Sequence, residues 1–159
     1  MDGGTGMKWA FKEVLTHVII SRDHWHVIDE SNNINSYLKN KKETAITNAI
    51  KDSNNIDTTD LSIKTMIEVE YISETFNTLM KWLQYDVLQF HGAAYEDRSI
   101  LFDFIVESLQ ELSKRHPHRI KAFSTTLVNQ KELLLNASVE LDKSFSKIGG
   151  KHNLSTSII

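Results

Sequence analysis

The chain has 159 residues, 40 % of them hydrophobic, with one proline and no cysteine, which suits a single domain with a real core and excludes disulfide staples and cysteine metal sites. Its formal net charge of −3 predicts no general attraction to nucleic acid, so a DNA partner must be met by a local patch. No apolar run approaches the roughly 20 residues of a membrane span, and Met1-Asp2-Gly3-Gly4 is not the start of a signal peptide, so no membrane partner and a cytoplasmic location are expected.

Asp2-Gly3-Gly4-Thr5-Gly6 is a glycine-rich turn. Met7 to Thr16 then reads as a short helix with Met7, Phe11, Val14 and Leu15 on one side. His17-Val18-Ile19-Ile20-Ser21 is apolar and β-branched, the signature of a buried strand. Such a strand needs sheet partners, and the sequence encodes no others. The alternative is that Val18 to Ser21 belongs to a helix.

Arg22-Asp23-His24-Trp25-His26-Val27 begins the next helix. Asp29 to Ser53 is polar and weakly periodic, with a basic group at Lys39, Lys41 and Lys42. It is expected to be helix with a frayed or looped middle. Ser53 to Asp60 is a cluster of turn and capping residues. Ile63, Met66, Val69, Ile72, Phe76, Leu79, Leu83 and Val87 then recur at spacings of three and four, one apolar stripe on a long helix that Gly92 is placed to end.

Asp97 can start the following helix, with Ile100, Leu101, Phe104, Ile105, Leu109 and Leu112 as its buried face. Pro117 stops it and can sit in the first turn of the last helix. That helix carries Ile120, Phe123, Leu127, Leu134 and Leu141 on one side. Gly149-Gly150 is expected to close it, and Lys151 to Ile159 to form a loose tail. These long helices with short connections predict an antiparallel bundle. The triplets at Asn136 and Asn153 that match a glycosylation acceptor read as chance.

Three groups of residues could carry chemistry. Asp2, in its glycine-rich turn, can reach an ion; otherwise it belongs to a flexible leader. His17, Asp23, His24 and His26 lie close in sequence, and His-x-His on an extended segment can bind metal. The expectation is instead that His26 packs inward and His24 faces outward, because no distant ligand completes a site. Lys114-Arg115-His116-Pro117-His118-Arg119-Ile120-Lys121 has four fixed positive charges and no acid. At a helix junction it can meet DNA phosphates through Lys114, Arg115, Arg119 and Lys121, or be a solvated loop capping a helix end.

Asp2-Gly3-Gly4, an amphipathic helix, Val18-Ile19-Ile20 and then Asp23-His24-Trp25-His26-Val27 resemble insertion-sequence transposases of the DDE type. So do Trp82-Leu83-x-x-Asp86-Val87-Leu88, Arg98-x-x-Leu101-Phe102-Asp103-Phe104-Ile105-Val106 and Asn129-Gln130-Lys131-Glu132-x-Leu134-Leu135. The resemblance implies a mainly α chain. Residues 1–28 would be a helix–strand remnant of an RNase H-like α/β catalytic core, 29–150 a helical insertion domain and 151–159 a tail.

It further implies that Asp2 is one of three catalytic carboxylates holding Mg²⁺ for DNA cleavage and strand transfer. The other two, and the rest of the sheet, would lie outside this sequence; neither Glu132 nor Glu140 is assigned that role. The expectation is a transposase fragment, inactive alone, whose intact parent binds transposon ends and can form homo-oligomers. Trp82 could stack on an extruded base, though a core role is the commoner use of such a residue. The rival reading is a stand-alone helical module that binds DNA or protein.

Overall fold

A computed structural model describes residues 22–89, 92–115 and 118–156. Four helices account for nearly all of them: α1 (Arg22–Lys51), α2 (Ile56–Trp82), α3 (Tyr95–Arg115) and α4 (His118–Thr156). Each helix packs on the next, and α4 closes the ring on α1. Short links make consecutive helices antiparallel, and the contacts of α4 agree. Its Lys131 reaches Asp103 of α3 at 2.9 Å, and its Ser138 lies 3.1 Å from His24 near the start of α1. The result is an up-down-up-down helical bundle.

The predicted strand at Val18 to Ser21, the short helix at Met7 to Thr16 and the turn bearing Asp2 lie outside the described residues. Among those described, no strand is present. Helix α1 runs unbroken across the domain boundary expected at residues 28–29, and its middle is neither frayed nor looped. The reason is a regular line of inward positions: His24, Val27, Ser31, Ile34, Leu38, Ala45 and Ala49 are all buried. They fall at helical spacing, but small or polar residues fill four of the seven.

Asn55 caps α2, its side-chain oxygen accepting from the Asp57 amide at 3.0 Å, as the capping cluster predicts. A short 3-10 turn, Asp52–Asn54, precedes it. The expected stripe on α2 is buried from Val69 to Val87, whereas Ile63 is 39 % exposed. Helix α2 stops well before Gly92. A wide turn, Leu83–Val87, ends it, with the Leu88 amide donating to the Leu83 carbonyl at 2.9 Å. This extra residue per turn lets Leu83, Val87 and Leu88 all reach the core. Gly92 serves the connection instead, at φ +80°, where side chains are disfavoured.

Helix α3 buries Ile105, Leu109 and Leu112 as expected and corrects the placement of Ile100 and Phe104. Arg98, Phe102, Ile105, Val106, Leu109 and Leu112 are buried, while Ile100 and Phe104 are 71 % and 51 % exposed. An arginine, Arg98, occupies a core position on this helix. On α4 the expected line of Ile120, Phe123, Leu127, Leu134 and Leu141 is buried throughout. Gly149-Gly150 does not end this helix, which continues to Thr156; glycine weakens a helix by about 1 kcal/mol but does not by itself stop one.

The two hairpins differ in reach. Arg115, the last residue of α3, meets Glu68 and Tyr71 of α2, and Arg119, in the first turn of α4, meets Tyr37 of α1. Beyond that level α1 and α2 continue as a two-helix arm. Ala45 and Ala49 are its buried residues on α1, and small side chains there let the two helices approach closely. No residue described between Asp52 and Glu68 is buried.

Candidate functional site

Arg98 organises the α2–α3 connection. Its side chain is fully buried. The guanidinium donates to the carbonyls of Gln89 and Ala93 at 2.9 Å each, to the Val87 carbonyl, and to Asp142 of α4. The Gly92 amide donates to the same carboxylate at 3.2 Å. The carbonyls left over at the end of α2 thus find a cation, which is what the negative end of a helix favours.

This clamp explains much of the transposase-like sequence. Leu83, Val87, Leu88, Phe102, Ile105, Val106, Leu134 and Leu135 from the three matching stretches are core residues, and Arg98 is the clamp itself.

The histidines are placed opposite to expectation. His24 is buried and His26 exposed, because the segment is helical and His24 shares a face with Val27 and Ser31. The Nε2 of His24 lies 3.0 Å from the Leu134 carbonyl and 3.1 Å from Ser138 Oγ. Burial lowers the imidazole pKa below 6.5, and nearby Arg98 lowers it further; the Leu134 hydrogen bond and Asp23 pull the other way. His26 instead meets Trp25 edge-on, with ring centroids 5.2 Å apart.

Asp2 lies outside the described residues. Among those described, no three histidine or carboxylate side chains lie together as a metal site. The Mg²⁺ expectation rests on Asp2 and the resemblance alone.

Lys114, Arg115, Arg119 and Lys121 flank the α3–α4 junction; His116 and Pro117 are outside the described residues. Arg115 stacks on Tyr71 at 4.5 Å from the ring centroid and lies 3.4 Å from Glu68. Arg119 stacks on Tyr37 at 4.7 Å, and Lys41 approaches the same ring at 5.2 Å. Lys114 pairs with Glu111 at 2.8 Å, both well exposed. Lys121 is exposed.

Two arginines are therefore tied by cation–π contacts to the helices they lie across. An arginine stacked by its face keeps its edge donors available to a planar anion. The tyrosines were not legible as part of this group, since they sit 44 or more residues earlier in the chain.

Trp82 is 38 % exposed and tilts against Phe104 with centroids 6.0 Å apart. It lines a groove of about 850 Å³ between α2 and α3, together with Glu74, Glu107 and Glu111. Lys114 and Arg115 line the same groove at its other end. No helix among the described residues is long and apolar enough to cross a membrane.

The chain matches no family model, no curated protein and no solved structure.

Proposed function

We propose that the bundle is the helical insertion of a DDE-type transposase and that it contacts DNA through the α3–α4 junction. The observation that carries the DNA contact is the basic run. Lys114, Arg115, Arg119 and Lys121 fall at one end of the bundle, with the arginines braced on Tyr71 and Tyr37. The transposase assignment rests on the sequence resemblance, above all Asp2-Gly3-Gly4 followed by Asp23-His24-Trp25-His26-Val27. In the intact parent, Asp2 would be one of three carboxylates that hold Mg²⁺ for strand cleavage and transfer.

A salt titration of duplex DNA binding tests the contact. Each phosphate contact contributes about 0.9 to the slope of log affinity against log salt. Replacing the four basic residues with glutamine should lower that slope by roughly 2 to 4. An unchanged slope would remove the interface. In a nuclease assay with Mg²⁺ or Mn²⁺ the chain alone is expected to be inactive. Cleavage that disappears in Asp2→Ala would overturn that expectation.

The second reading, a stand-alone interaction module, is favoured by one observation. The four helices close a core of their own, with buried residues contributed by each. A bundle of this kind can fold and bind without a catalytic sheet.

A further inference from the structure

The face formed by α2 and α3 carries apolar residues at core spacing that the bundle leaves uncovered. On α2, Ile67 is 58 %, Tyr71 49 % and Trp82 38 % exposed. The steps from Ile67 to Tyr71 and from Tyr71 to Trp82, four and eleven residues, return to nearly the same side of a helix. On α3, Ile100 and Phe104 form a matching pair one turn apart, 71 % and 51 % exposed.

The groove between these lines has a volume of about 850 Å³. It extends from Trp82 and Phe104 to Tyr71 and Arg115, about 16 Å along the helix axes at 1.5 Å per residue. That is three helical turns.

Lys114 and Arg115 line the far end of the groove, each paired with a glutamate, Glu111 and Glu68; the other charged lining residues are acidic. Glu74 stands on the α2 side, and Glu107 and Glu111 on the α3 side. Glu111 pairs with Lys114, while Glu74 and Glu107 form no ion pair among the described residues. An apolar floor with two uncompensated carboxylates on opposite walls selects one kind of occupant. It must bring apolar side chains along its centre and positive charge along both flanks.

We propose that this groove docks a single amphipathic helix of about three turns from a partner protein, apolar on the inserted face and flanked by lysine or arginine. Trp82 and Phe104 are its anchors at one end, since large aromatics carry a disproportionate share of such an interface. Glu74 and Glu107 set its charge preference. The far end of the groove meets the α3–α4 basic run at Lys114 and Arg115, so the charge preference set by Glu74 and Glu107 acts toward the Trp82 end.

The test uses the full chain and two labelled synthetic peptides of about 14 residues. Each has leucines at helical spacing, one with lysines on both flanks and the other with glutamates. Anisotropy should report saturable binding of the lysine peptide and binding of the glutamate peptide at least ~10-fold weaker. Phe104→Ala and Trp82→Ala should each weaken the lysine peptide by about 10-fold or more. Both residues are exposed, and circular dichroism verifies that the fold is kept.

A Glu74→Lys, Glu107→Lys double variant should reverse the preference between the peptides, a result that general stickiness cannot produce. Equal affinity for the two peptides, or no saturable binding, overturns the proposal. So does sedimentation showing a dimer that Phe104→Ala dissociates, which would make the occupant a second copy. Crosslinking that places residues 1–21 of the chain in the groove would likewise overturn it.

Discussion

Arg98 is the residue on which the α2–α3 corner depends. Removing its side chain leaves Asp142 buried without its cation and three carbonyls, those of Val87, Gln89 and Ala93, without their donor. Breaking a buried pair from one side costs about 3–5 kcal/mol. Arg98→Leu should therefore lower urea stability by that amount, and a loss below about 1 kcal/mol would show that the clamp is not load-sharing.

His24 gives a second test at the same scale. Its folded pKa lies below 6.5, chiefly through burial, so the unfolded chain takes up a proton first as pH falls. Stability is complete above about pH 6.5 and declines below it, by at most about 1.4 kcal/mol per pH unit. Urea unfolding at pH 7.5 and 5.5 should show a larger acid loss in the wild type than in His24→Gln. Equal losses would contradict the assigned environment. Neither Arg98 nor His24 was legible as a core residue, because a charged or titratable side chain at an inward position breaks the hydrophobic pattern by which a core is recognised.

Among the elements, the arm formed by the end of α1 and the start of α2 has the least to hold it. Its buried residues on α1 are two alanines, and it gains polar ties from Ser62 to Asp52 and from the Asn55 cap. Local opening follows local burial. Amides between Lys42 and Met66 should exchange much faster than those between Ser73 and Leu83. Asn55→Ala should cost about 1 kcal/mol, felt mainly in the arm; uniform protection along α2 would contradict this division.

The same elements show what the sequence could reveal. The lines on α2 from Val69 to Val87 and on α4 from Ile120 to Leu141 were readable because large aliphatic and aromatic residues recur along them at helical spacing. Helix α1 was obscured by Ser31, Ala45 and Ala49, which pack well but do not look apolar. On α3, periodicity placed Ile105, Leu109 and Leu112 correctly, but Ile100 and Phe104, which share a core-like spacing, are exposed, Phe104 toward the open groove.

For the whole molecule, the closure of α4 on α1 joins the two hairpins into one core. It brings the first turn of α4 beside Tyr37 and the last turn of α3 beside Tyr71, gathering the basic run at one end. The run itself was legible as a charge cluster within eight consecutive residues; its bracing was not, since it depends on contacts made only in the folded bundle. Positive charge at that end and acidic charge in the α2–α3 groove coexist in a chain whose net charge is close to zero. Composition could therefore exclude general attraction to DNA without excluding a local contact.

The most direct test of the DNA-contacting reading is an NMR titration of the full chain with a short DNA duplex at low salt. The reading predicts saturable amide shifts at Lys114, Arg115, Arg119 and Lys121 and at their supports Tyr37 and Tyr71, abolished when the four basic side chains are replaced with glutamine. Shifts centred elsewhere, or none at duplex excess, would contradict it.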